Sequence, residues 1–258
     1  MDLERARRWA DRMPPAVAAF GARVVSGTAA TVGLVWYLRD RRTYQRMDGA
    51  QALNWRNDYP KTADRLGTSP YDPHYLPQDA WAAHRVAEFA PPSHVDVGSR
   101  VEFVCFMTSH LPVTFVDIRP LEASVEGLSS VTGSILDMPF PDQSVQSLSC
   151  LHVAEHIGLG RYGDPLDPLG TRKAATELER VLAPGGQLLF SLPVGEPRVC
   201  FNAHRVHDPL DVVDMFPELR LEEFASVDDS RTFRRHCEPE SVRGAQYACG
   251  MYRFSRPS

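Results

Sequence analysis

The sequence lacks most of the features that would assign it at once. Its five cysteines, Cys105, Cys150, Cys200, Cys237 and Cys249, are odd in number, widely spaced and form no CxxC pair, so neither a disulfide framework nor a zinc cluster is indicated. A reducing, cytoplasmic setting fits. No HExxH or comparable metal spacing occurs, and there is no internal repeat. No Lys/Arg block stands beside aromatic residues, and the net charge is −5 with a pI near 6.0, so nucleic acid is set aside as a partner. The apolar stretch from Ala16 to Leu38 is broken by Arg23 and followed by Arg39, Arg41 and Arg42. A membrane span needs roughly 20 uninterrupted apolar residues, and a secretory signal needs an unbroken apolar core, so neither is read there.

What is present is ordinary globular composition, 258 residues at 43% hydrophobic and 24% charged. Residues 1–50 read as an N-terminal helical extension that packs on the domain or on a second subunit, which would make a homodimer. The sharper alternative is a peripheral membrane helix over residues 16–42, suited to a lipid-linked substrate. Residues 51–92 read as an extended connector followed by a helix from Gln78 to Phe89, ended by Ala90, Pro91 and Pro92; His74 and Tyr75, beside prolines, read as local packing, with a lid over the site as the sharper alternative. Residues 93–258 read as the main domain.

The organising stretch is 144–195. Residues 144–152 form a short buried strand ending near His152, Glu155 and His156. GLGRYGDPLDPLG follows, with four glycines and two prolines, and excludes a helix. From Thr171, a candidate N-cap, to Leu182 the apolar residues fall at helical spacing, and Pro184, Gly185 and Gly186 stop the helix before a second buried strand, Gln187 to Val194. Strand, crossover helix and strand make a right-handed βαβ unit and hence a parallel sheet, whose ligands bind at the carboxyl ends of the strands.

Upstream, HVDVG and VTFVDI read as strands, with Asp117 lying 21 positions after Asp96. A glycine turn followed by a carboxylate at the next strand's tip suits a ribose, so a nucleoside-containing ligand is expected. The three-glycine dinucleotide fingerprint is absent, because Gly98 is followed by Ser99, Arg100, Val101 and Glu102. Residues 129–134 read as a third strand, with Asp137 beyond it either capping a turn or accepting an exocyclic amine. Past Val194, GEPRVCFNAHRVHDP reads as a loop, residues 208–216 as a short helix, and residues 221–227 and 246–254 as an antiparallel edge pair separated by a polar loop over the site.

HVDVGS, VTFVDI, LDMPFPDQSVQSLSCLHVAEHI and ELERVLAPGGQLLFSLP resemble, in order and spacing, the class I S-adenosylmethionine-dependent methyltransferases. More narrowly, YDPHYLPQDAWAAHRV, LSCLHVAEHIGLGRYGDPLDP and LPVGEPRVCFNAHRVH look like a poorly characterised methyltransferase-like family associated with surface-polysaccharide gene clusters. The resemblance implies an α/β, Rossmann-like class I methyltransferase fold, with a seven-stranded, mostly parallel sheet carrying one antiparallel strand. It implies S-adenosylmethionine as cofactor. Asp96, Gly98 and Ser99 then match the loop facing its methionine moiety, with Arg100 beside its carboxylate. Asp117 matches the ribose acid, Ile118 a neighbour of the adenine, Leu136, Asp137 and Met138 the adenine pocket, and Leu151 and His152 the strand tip facing the sulfonium.

Methyl transfer to oxygen needs two positioned reactants and a proton acceptor. His204, His156 and His152 are the candidate bases, in that order. Arg161, Tyr162, Asn202 and Arg205 are the candidate substrate contacts. No metal is assigned; magnesium on a sugar diol, held by Asp164 and Asp167, is the unfavoured alternative. The expected activity is O-methylation of a sugar hydroxyl on a glycan, glycolipid precursor or glycosylated small molecule. The rival readings are a non-catalytic scaffold or regulatory module in polysaccharide assembly and a non-methylating reaction on the same fold.

Overall fold

A computed structural model of the protein describes residues 32–119 and 121–258. The chain divides into two units, Met1–Pro70 and Tyr71–Ser258. In the described part of the first unit, a helical run over residues 32–44 carries Arg41. Its Nε donates to Asp58 at 2.7 Å and its guanidinium lies 3.6 Å from the Trp55 ring centre, while Arg65 pairs with Asp40 and lies 4.0 Å from the Trp36 ring centre, so charge-assisted bonds and cation–π contacts pin this unit. Of the stretch 16–42, residues 16–31 lie outside the described residues. Among the described residues no helix is long and apolar enough to cross a membrane.

The second unit is built on one sheet. Its strands in chain order are β1 (His94–Val97), β2 (Val113–Asp117), β3 (Leu128–Thr132), β4 (Val145–Leu151), β5 (Leu182–Val194), β8 (Arg220–Val227), β9 (Phe233–Arg235) and β10 (Ala248–Ser255), while β6 (Arg198–Cys200) and β7 (His204–Val206) form a separate hairpin. The spatial order is β3-β2-β1-β4-β5-β10-β8-β9. The first five are parallel, and β10 lies antiparallel between β5 and β8. Four helices accompany them: α1 (Tyr75–Phe89), α2 (Val101–Met107), α3 (Gly170–Val181) and α4 (Pro209–Val213).

Period-two alternation explains why these runs are strands covered on both faces. On β5, Leu188, Phe190, Leu192 and Val194 enter one core with Leu178 and Val181 of α3, while Leu189 enters the other with Trp81 and Val86 of α1. β10 divides the same way, with Ala248, Tyr252 and Phe254 on the α3 side and Cys249 and Met251 on the α1 side. Each Leu, Val, Phe or Met among them stabilises the fold by about 1.5–3 kcal/mol on burial.

The sheet has eight strands where seven are expected. The extra one, β9, is three exposed residues paired with β8 at the edge, inside the segment read as a polar loop. With no buried face it has no alternation to betray it. β10 is interior rather than at an edge, because it inserts between β5 and β8. α1 starts at Tyr75, three residues before the expected Gln78. β5 begins directly after α3 and runs through Pro184-Gly185-Gly186, with a register shift against β4 and a positive φ at Gly185 absorbing the turn. Thr171 does not cap α3; its hydroxyl donates to the Ala154 carbonyl, and Leu169 occupies the cap position. The expected loop after Val194 holds the β6–β7 hairpin.

Candidate active site

β1 has β2 on one side and β4 on the other, so the strand order reverses at its tip and leaves a crevice at the carboxyl end. Gly98 follows β1 at φ 66°, a conformation that favours glycine. A Cβ there would lie 3.1 Å from Val153 Cγ1 and 3.8 Å from Asp117 Oδ2, so the turn leaves a cradle that a side chain would fill.

Asp96 sits below this turn, fully buried, and braces it. It accepts from Ser99 N at 3.0 Å and from Ser99 Oγ at 2.7 Å, and Ser149 Oγ also donates to it. Ser99 Oγ in turn accepts from Leu151 N at 3.1 Å, tying the glycine turn to the end of β4. His94 bridges Ser147 and Ser149 at 2.8 Å each. Because Ser149 donates to Asp96, it must accept from His94 Nε2–H, and Ser147 then donates to Nδ1. Burial pushes Asp96 up to about 6 and His94 down to about 3, so the imidazole is neutral.

Two adjoining cavities open above the turn. The first, about 80 Å³, is lined by Gly98, Asp117, Ile118, Gly133, Ile135 and Val153, among others. Asp117 accepts from Arg119 N at 2.8 Å and from its Nε and Nη2 at 3.1 Å each, and the Arg119 guanidinium lies 4.8 Å from the Tyr162 ring centre. Of the residues expected around an adenine, Ile118 lines this cavity. Leu136 and Asp137 are exposed on a turn closed by Asp137 N to Ser134 O, and Met138 is buried in the core with its N–H on Glu177. Gly133 and Ile135 line the wall instead.

The second cavity, about 260 Å³, shares Gly98, His152, His156 and Tyr162 with the first and adds Tyr75, Ser99, Arg100, Leu151, Glu155, Arg161, His204 and Tyr247. His152 adopts φ 56° and is buried, with Nδ1 2.9 Å from Glu155 Oε1 and Nε2 3.3 Å from Cys249 Sγ. Burial opposes its protonation, but the Cys249 sulfur and the Glu155 carboxylate outweigh it and hold the imidazole well above its usual range. With both nitrogens committed to buried partners, His152 is a floor residue. His156 Nδ1 meets the Ala203 carbonyl at 2.6 Å, leaving Nε2 facing Glu155 at 3.7 Å.

His204, at the start of β7, is half-buried, and its ring packs edge-on to Tyr247 at 5.2 Å. It makes no side-chain hydrogen bond among the described residues. Burial first, then the charges of His156, Arg198 and Arg161, lower its pKa against the pull of Glu155, so the ring is neutral near pH 7. Arg100 stacks 5.2 Å from the Tyr75 ring centre and lies 3.6 Å from Glu102, exposed on the wall at the mouth of the second cavity.

Other expected residues stand elsewhere. Arg205 is buried and holds the neck of the 158–170 loop, donating to Ile157 O at 2.6 Å and Asp167 O at 3.0 Å. Asn202 is exposed at the turn of the hairpin and lines neither cavity. Asp164 accepts from the N–H groups of Gly158 and Tyr162, and Asp167 from Leu169 N and Lys173 Nζ, so both carboxylates fold their own loop. Among the described residues no group of three or more His, Cys, Asp or Glu is arranged to hold a metal.

Sequence reasoning missed Arg119, Gly133, Ile135 and Tyr247 as cavity residues. Arg119 was detectable two positions after Asp117. Tyr247 was not, because it reaches the site only through the placement of β10. A separate cavity of about 390 Å³, lined by Arg85, Gln187, Glu223 and Arg253 among others, shares no residue with either of these two.

Comparison with known proteins fits this architecture. Residues 142–233, less than half of the chain, match a family described as Caenorhabditis protein of unknown function, DUF268. No curated protein matches. Among solved structures, N-methyltransferase NodS from Bradyrhizobium japonicum WM9, in complex with S-adenosyl-l-homocysteine, is 16% identical with a TM-score of 0.52 over 85% of this chain and 98% of its own. The (4+2)-cyclase SpnF is 12% identical with a TM-score of 0.57, covering 75% of this chain and 86% of that one. A putative sarcosine dimethylglycine methyltransferase from Galdieria sulphuraria is 16% identical with a TM-score of 0.52, covering 70% and 85%. At these identities the likeness establishes the fold, a Rossmann-like α/β sheet of the methyltransferase kind.

Proposed function

We propose that the protein is an S-adenosylmethionine-dependent methyltransferase acting on a sugar hydroxyl of a glycan, glycolipid precursor or glycosylated small molecule. The observation that carries the reading is the meeting of Gly98 and Asp117 in one cavity that opens directly into a second, histidine- and tyrosine-lined cavity. Asp117 keeps free lone pairs beside its Arg119 bonds and would take the ribose hydroxyls, Gly98 would admit the backbone-hugging part of the cofactor, and Ile118 and Ile135 would flank the base. Arg100 at the mouth would pair with the cofactor's carboxylate. When bound, the cofactor supplies an electrophilic methyl group on a sulfonium.

The chain's own residues do the rest. Tyr75, Tyr162 and Tyr247 line the acceptor's space and would orient it by packing on their rings. His204 has a free imidazole nitrogen and takes the acceptor's hydroxyl proton; proton transfer to a positioned base contributes about 10²–10⁴-fold. Calorimetry with S-adenosylhomocysteine tests the reading, and absence of heat from the intact chain ends it. SpnF, named a cyclase, favours a second reading in which the same fold runs a non-methylating reaction. Product mass spectrometry separates the two, since only the first adds about 14 Da.

A further inference from the structure

We infer that the acceptor is an anion, a sugar carrying a carboxylate or phosphate, and that Arg161 binds that group beside His204; this rests on the methyltransferase reading above. The second cavity has a one-sided charge. Its only carboxylate is Glu155, fully buried and turned to His152 at 2.9 Å. Two guanidinium groups raise the positive potential at His204, Arg161 and Arg198. Arg161 donates to Ala203 O at 3.2 Å and lies 5.1 Å from the Tyr162 ring centre, while Arg198 donates to the carbonyls of Glu196 and Gln246.

Neither has a carboxylate partner among the described residues, whereas Arg119, Arg180, Arg220 and Arg243 each do. A guanidinium fixed by backbone carbonyls and an aromatic face, with N–H groups left over, is pre-organised for an anion. Arg100 stands across the cavity on Tyr75 and answers to the cofactor's own carboxylate, so the two charges of the ternary complex have separate partners. Net positive walls also raise the local concentration of an anionic acceptor.

The test uses the full chain saturated with S-adenosylhomocysteine and reads ligand binding by saturation-transfer NMR. The probes are methyl glucuronide, glucose 1-phosphate, methyl glucoside and inorganic phosphate. Binding of an anionic sugar about tenfold or more tighter than methyl glucoside, lost in Arg161→Gln and largely kept in Arg161→Lys, supports the inference. Preference for the glucuronide assigns a carboxylate, and preference for the sugar phosphate assigns a phosphate. Inorganic phosphate binding as tightly as either sugar overturns it, as does equal binding of the neutral glycoside, equal binding by Arg161→Gln, or no probe binding at all. No S-adenosylhomocysteine binding overturns the methyltransferase reading instead. Intact cofactor binding without anion preference overturns this inference alone.

Discussion

His204 and His152 show how one residue type meets opposite environments in one cavity. His152 is gripped at both nitrogens by Glu155 and Cys249, while His204 makes no side-chain hydrogen bond and has its pKa lowered by burial. A base is active once deprotonated, so the rate should rise with pH through a midpoint below 6.5 and then level off. His204→Asn should lower kcat by about 10²-fold or more and erase that rising limb. A pH profile of the variant that keeps the limb would remove His204 from the chemistry. Asp96 supplies a second residue-level prediction. Its folded pKa, about 6, lies above the ordinary value of 3.8, so its protonated form is favoured by folding. Stability it contributes is complete below pH 3.8 and is lost as pH rises through 6, by about 3 kcal/mol in all. Urea unfolding of wild type and Asp96→Asn should show wild type losing ground between pH 4 and 7; a constant difference would contradict the assignment.

The 158–170 loop depends on its two end glycines. A Cβ on Gly158, at φ 80°, would stand 2.1 Å from the Asp167 carbonyl oxygen, and one on Gly170 would stand 2.2 Å from that of Ile157. Backbone therefore runs against backbone at the neck, where Arg205 and the bond from Asp167 N to Gly158 O hold it closed. Gly158→Ala should cost at least about 2 kcal/mol by combining a disfavoured φ with a clash that neither strand of the neck can relieve. Thermal unfolding reads the loss; an unchanged midpoint would show that the neck opens. The sheet was largely visible element by element, since β4 and β5 are unbroken low-charge runs and α3 has clear helical spacing. β9 and the β6–β7 hairpin were not, because strands of three residues are too short to show a period.

Taken whole, the molecule couples its site to its stability. The crevice joins β1, β2 and β4 through Asp117, Gly98 and the Ser99–Leu151 bond, so a ligand seated there ties together elements distant in sequence. Saturating S-adenosylhomocysteine at about 100 times its Kd should stabilise the fold by about 2.7 kcal/mol. Asp117→Ala, which removes the proposed ribose acid, should shrink the thermal shift at the same ligand concentration. An equal shift in both proteins would place the nucleoside elsewhere.

The sequence by itself determined the fold class, the strand–helix–strand unit over 144–195 and the paired positions Gly98 and Asp117, because periodicity and turn chemistry are local. It also carried the histidines as a set. The tertiary structure set their different surroundings: His152 is fixed by Cys249, 97 positions away, and His204 of the hairpin packs on Tyr247, just before β10. It also moved Arg205 from a substrate contact to a loop support, kept Asp164 and Asp167 in the turn they build, and brought Arg119 and Ile135 into the cavity. Burial and partnership set whether a polar side chain serves the fold or faces a ligand, and both depend on residues that only folding brings near.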